Sequence, residues 1–167
     1  MNDRTRRRIR TAIVAGAIMG GSIAAAVPAV AATATPSCRS TDLTISLGQV
    51  DAGAGQRYAT LDFTNRGEDG CVLRNDLTGL TFTEPGPEGG ARTIPATVTR
   101  ASGSTDETVV IAPGSAGHLD LHWSVVTTPA VPDSLFFELP DDGGRGALPW
   151  HVAVGSEHRI DLGHLHL

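Results

Sequence analysis

The sequence predicts an all-β protein, an antiparallel β-sandwich of about seven to nine strands behind an N-terminal signal peptide. Three observations carry that reading. Past residue 37 the apolar residues recur at every second position, not with the 3.6-residue period of a helix. Clusters of Gly, Pro, Asn and Asp interrupt these runs at short intervals. Both cysteines lie in the part that an export signal would deliver to an oxidising compartment. The 167 residues divide into a leader over 1–32, a short segment over 33–37 and one sandwich domain over 38–167.

The leader comes first. Arg6, Arg7, Arg8 and Arg10 form a basic start, and Thr11 to Val30 is almost wholly Ala, Ile, Val, Gly and Met. Ala29, Ala31, Ala32 and Ala34 supply small-residue cleavage sites, which places the cut between residues 31 and 34. The alternative, a retained anchor, is open to a run of this length. Its Ala and Gly content and its small-residue end favour removal. The mature chain is then expected to be secreted or extracellular, cell-envelope association included, with no membrane span.

All 13 basic residues are Arg, and five of them precede the apolar run. The mature part holds eight Arg against 17 acids, a net of −9. Nucleic acid and anionic membrane both require positive charge, so neither is expected as a partner. A monomer acting on an unidentified extracellular or cell-envelope ligand is the reading that remains.

The strands follow in order. Leu43, Ile45 and Leu47 alternate with Thr44 and Ser46, and Ala59, Leu61 and Phe63 with Thr60 and Asp62. Leu80 and Phe82 repeat the rule, as do Leu119, Leu121 and Trp123 between His118, Asp120 and His122. Leu135, Phe137 and Leu139 give another such run, and Trp150, Val152 and Val154 one more. Alternation of this kind puts one face of a strand in a core and the other in water. Val109, Val110 and Ile111 are continuously apolar, which fits a strand covered on both faces. At the C-terminus Ile160 and Leu162 share one parity while Leu165 and Leu167 take the other. One register cannot bury both pairs, so a bulge or strand end is expected at Gly163.

Cys38 and Cys71 allow one intramolecular pairing. Closing that loop of about 34 residues stabilises the fold by roughly 3–4 kcal/mol in the chain-entropy picture. Two free thiols or a metal pair are the other options, and no CxxC spacing supports the latter.

The order of these landmarks resembles the secreted actinobacterial family catalogued as domain of unknown function 4232. The shared features are Cys38 soon after the leader, Leu43 to Ile45, the stretch Gly53 to Tyr58 leading into Leu61 to Asn65, and Gly70 to Leu73. Val109 to Ile111, Pro113 to Ala116 and a strand ending at Trp123 complete the series. The resemblance implies an immunoglobulin-like sandwich, export to the surface or medium, and no catalytic residues. Members commonly carry a second Cys pair in the C-terminal third, and Pro129 to Leu167 has none. That half is therefore expected to depend on packing of Trp150, Val152 and Val154.

No nucleophile elbow, HExxH or Walker motif is present, and the chain lacks Lys altogether. Ser115, His118 and Asp120 invite a hydrolase reading. On one strand His118 and Asp120 project side by side, whereas a triad needs the base between nucleophile and acid. No catalytic residue and no cofactor is assigned, and the expectation is a non-enzymatic protein.

His118, Asp120 and His122 form the constellation that bears on chemistry. At i, i+2 and i+4 they share a strand face in steps of about 6.5–7 Å, and their ligand types suit zinc or copper. The outer two lie about 13 Å apart, so a partner strand would have to complete a site through His151, or His164 and His166. The plainer account is a polar, solvated strand face.

Glu84, Glu88, Asp133, Asp141 and Asp142 raise calcium, without the spacing of a calcium loop. Protonation of six His between pH 7 and 5 would reduce the negative charge. Phe136 breaks its strand's alternation and should face outward; grouped with Val125, Val126 or Val131 it would make a binding patch.

Overall fold

The computed structural model describes residues 34–86, 89–126 and 128–167. The leader and its cleavage site lie outside the described residues, as does Glu88. Residues 34–167 cluster as one unit.

Among the described residues the regular structure is β, with a turn of 3-10 helix at Ser104–Asp106. The strands are β1 (Leu43–Leu47), β2 (Asp51–Gly53), β3 (Gln56–Asn65), β4 (Cys71–Arg74), β5 (Thr78–Pro85) and β6 (Ala91–Pro95). They continue as β7 (Thr97–Arg100), β8 (Thr108–Ile111), β9 (Ala116–Ser124), β10 (Ser134–Glu138), β11 (Arg145–Pro149) and β12 (Arg159–His166). These twelve exceed the expected seven to nine. Alternation reveals a strand only where one face is buried, and β2 and β6 are mostly exposed.

One sheet runs β1-β3-β9-β12-β7, with β2 also paired to β3; a second runs β11-β10-β5-β6; β4 and β8 form a two-stranded ribbon. Pairing is antiparallel with one correction: β7 lies parallel to β12, Thr97 opposite Arg159 through Arg100 opposite Leu162. Its cause is local. Only Ala96 separates β6 in the second sheet from β7 in the first, so the chain crosses between sheets without reversing.

The predicted alternation is seen in burial. Leu61, Phe63, Leu119, Leu121, Trp123, Leu135, Phe137, Ile160 and Leu162 all point into one core. Phe63 of β3 meets Phe137 of β10 edge-on at 6.1 Å, so the inner faces of the two larger sheets share that core. Trp150 touches Trp123 of β9 at 5.1 Å and Phe82 of β5 at 5.3 Å.

Two other expectations are corrected. Residues 150–154 are not a strand. Trp150 continues the inward parity of β11, after which His151 turns the chain with a φ of 25°. Val154 is then buried beside an isolated bridge to Ala130. The C-terminal half consequently does not depend on those three residues alone, because β10, β11 and β12 supply Leu135, Phe137, Leu148, Ile160 and Leu162 as well. Nor is β8 covered twice: Ile111 is buried but Val110 is 53% exposed, since the ribbon has one packed face.

Cys38 and Cys71 form the expected disulfide. It ties the segment before β1 to β4, where Val72 also exchanges backbone hydrogen bonds with Pro36 and Cys38.

The bulge is present. β12 pairs Leu162 with Leu121 but Leu165 with Leu119, so Gly163 and His164 together face Asp120. The slip lets Leu162 and Leu165 both be buried despite their opposite parity. It also requires Gly163, because an added Cβ would fall 2.7 Å from the Asp120 Cβ. Gly163→Val should lower unfolding free energy by about 1–3 kcal/mol through overpacking, measured by urea denaturation against the wild type.

Candidate functional site

The outward faces of β3, β9, β12 and β7 are aligned in rows by their register. Tyr58, His122, Asp161 and Thr99 form one row across all four strands. Thr60 and Asp120 lead to the bulge in the next. Asp62, His118 and His166 form a third. Period-two geometry therefore delivers the three β9 residues to one face as expected, and each acquires partners from neighbouring strands.

The first row is a bonded network. The Tyr58 ring stacks on His122 with centroids 4.7 Å apart. His122 Nδ1 lies 2.9 Å from Asp161 Oδ2 and its Nε2 2.7 Å from Gln56 Oε1. Asp161 also accepts from the Thr99 hydroxyl and, at 3.0 Å, from Arg159 Nε. Burial pushes the Asp161 pKa up, but hydrogen bonds from Thr99, Arg159 and His122 outweigh it and hold the carboxyl below its ordinary value.

In the third row His118 Nδ1 meets Asp62 Oδ1 at 2.8 Å, and His166 Nε2 meets Asp120 Oδ1 at 3.3 Å. The His118 and His166 rings stand 5.7 Å apart. A triad would need a hydroxyl beside His118; what stands beside it is a second imidazole. Ser115 lies before β9, its carbonyl accepting from Asn65 N. The three residues of the hydrolase reading are not brought into triad order.

His164 is turned by the bulge toward Glu107, with Nδ1 2.5 Å from Oε1. The other oxygen of Glu107 accepts from Leu165 N at 2.8 Å and Asn75 Nδ2 at 3.2 Å, and Asn75 Nδ2 also reaches Gly163 O at 2.9 Å. The bulge is thus pinned from outside the sheet. The Leu165 N–H, then His164 and Asn75, lower the Glu107 pKa, and Glu107 raises that of His164. A lowered acid stabilises above its ordinary 4.5 and loses that contribution as pH falls; a raised His stabilises below its ordinary 6.5 and loses it as pH rises. The pair should therefore support the fold most between those values. The melting temperature of Glu107→Gln, followed across pH, should show its largest deficit there.

Between the first two rows lies a groove of about 570 Å³. Gly163 and Ala101, which present little bulk, line it. Tyr58, Thr99, His122 and Asp161 line one side, with Asp120, Arg100 and Arg159 also on its walls. That volume is within the range of small-ligand sites, and bulges often stand beside such sites.

The other candidates separate. Among the described residues no group of three or more His, Cys, Asp and Glu is arranged to hold a metal ion. His151 stands after β11 rather than beside β9, and His164 turns to Glu107. The acids of the calcium reading are not gathered: Glu84 is buried against His158 and Arg92, and Asp141 pairs with Arg74 at 2.8 Å. Phe136 does face outward, under the Arg145 guanidinium at 4.5 Å. Val126 rests against Gly55 at the β2–β3 turn, a different support from that of Phe136 between Ala147 and Thr81. Among the described residues no helix is long and apolar enough to cross a membrane.

The family model described as domain of unknown function DUF4232 matches residues 38–164, from the first cysteine to the last strand. The chain belongs to the DUF4232 family. No curated protein and no solved structure matches it. In this DUF4232 domain, Tyr58, Asp62, Thr99, Glu107, Arg159 and Asp161 stand around the three β9 residues or the bulge, and reading the sequence missed them. Tyr58, Asp62 and Asp161 each had the outward parity of their strands; what hid them was the strand order that sets them beside β9.

Proposed function

We propose that this DUF4232 domain is an exported, non-enzymatic immunoglobulin-like sandwich that binds a ligand in the cell envelope or medium through the outward face of its β3-β9-β12-β7 sheet. The observation that carries the reading is the groove beside the Gly163 bulge. It is lined by an exposed aromatic side chain and a hydrogen-bonded polar network, the usual make-up of a recognition site. The two large sheets with a shared core support the sandwich assignment. The basic start, the Ala-rich run and the Cys38–Cys71 bond support export. The contact of His118 with Asp62 and the His166 ring beside it support a binding role over hydrolysis.

The test is affinity capture of isolated cell-wall and secreted material on the mature domain, with and without a chelator. Wild type should retain material in both conditions. Tyr58 is 53% exposed, so Tyr58→Ala should lose only the cross-strand stack on His122, about 1 kcal/mol or less, and stay folded while retaining at least tenfold less. Retention by both proteins alike would refute the groove as the binding face. Retention that disappears with chelator would move the reading to metal handling by His118, Asp120, His122, His164 and His166.

A further inference from the structure

The character of the groove narrows the chemistry of what it accepts. Tyr58 rests one face on His122 and turns the other outward, an apolar platform the size of a six-membered ring. Around it the charged groups are two carboxylates and two guanidinium groups: Asp120 and Asp161, Arg100 and Arg159.

These charges are largely engaged with one another or with backbone. Asp161 is saturated by Thr99, Arg159 and His122. Arg100 donates to the carbonyl oxygens of Asn75 and Leu77. An anionic ligand would find both guanidinium groups already bound within a domain of net −9. A cationic ligand would find one further carboxylate, Asp120, itself in contact with His166 at 3.3 Å. What the groove offers is planar donors and acceptors at fixed positions beside an aromatic face.

That combination matches the two-sided surface of a sugar ring, whose C–H face stacks on an aromatic ring while its equatorial hydroxyls both donate and accept. We infer that the groove binds a short stretch of neutral saccharide, with one sugar ring on Tyr58 and its hydroxyls toward Asp120 and Arg159. The side chains of the network are held by hydrogen bonds to one another, so binding orders few of them. The open position on a sheet face suits a segment of a longer polymer. This deepens the groove reading above and rests on it.

The test uses isolated cell-wall material in three forms: native, oxidised with periodate to cleave vicinal diols, and digested with protease. Retention by the mature domain should survive protease and fall at least tenfold after periodate. Tyr58→Phe should retain native material as wild type does, and Tyr58→Ala should not. Retention that survives periodate and is lost with protease overturns the saccharide while leaving the groove reading standing. Retention equal in Tyr58→Ala and wild type overturns both.

Discussion

Replacing His158 with Ala should lower the unfolding free energy by about 3 kcal/mol, because it breaks a buried pair and leaves one partner behind. His158 and Glu84 are each 7% exposed. His158 Nε2 bonds Glu84 Oε1, its Nδ1 donates to Ser156 O at 3.0 Å, and its ring lies 5.8 Å from that of Phe82. Glu84 belongs to β5 and His158 directly precedes β12, so the pair joins the two larger sheets. The carboxylate would keep Arg92 at 2.9 Å, a partner that is itself largely exposed.

The same variant should change the acid side of the stability curve. Burial raises the Glu84 pKa, but hydrogen bonds from His158 and Arg92 outweigh it and the net direction is down from 4.5. A lowered carboxyl contributes stability above 4.5 that disappears as pH falls through the lowered value. Without His158 the lowering is smaller, so stability should fall less steeply below pH 4.5 in His158→Ala. Urea midpoints between pH 3 and 7 measure both effects; parallel curves of equal height would contradict them.

Removing the disulfide should cost a similar amount. The Cys38→Ser, Cys71→Ser double variant frees a loop with a sequence separation of 33 that contains β1, β2 and β3. Constraint of the unfolded chain accounts for about 3–4 kcal/mol. The Cys38 and Cys71 side chains are also buried in the core, so the substituted hydroxyls add a desolvation cost. Thermal unfolding of wild type with and without reductant provides the check, and equal melting temperatures would contradict it.

How much of this could be read from the chain depends on what each residue's environment records in sequence. Leu61 and Phe63, or Leu119 and Trp123, announce their strands because one face is buried and the other wet. β6 and β2 carry no such signal, being exposed at sheet edges. Trp150, Val152 and Val154 alternate for a different reason: Trp150 keeps the inward parity of β11 just past its end, and a turn at His151 then carries Val154 back to the core. The Gly163 bulge was legible because a change of parity within one strand has few structural solutions.

The site was half legible. His118, Asp120 and His122 declare a shared polar face by spacing alone. Tyr58, Asp161 and Thr99 become their neighbours only through the order β3-β9-β12-β7, which depends on contacts far apart in sequence. Glu107 is more remote still, reaching the bulge from the segment after the Ser104–Asp106 turn.

Amide chemical-shift mapping of the mature domain with the retained wall material tests the central claim most directly. The shifts should concentrate at Tyr58, Thr99, Asp120, His122, Asp161 and Gly163. Shifts confined to the β4–β8 ribbon, or to the acidic loop around Asp141 and Asp142, would place recognition elsewhere and contradict the account.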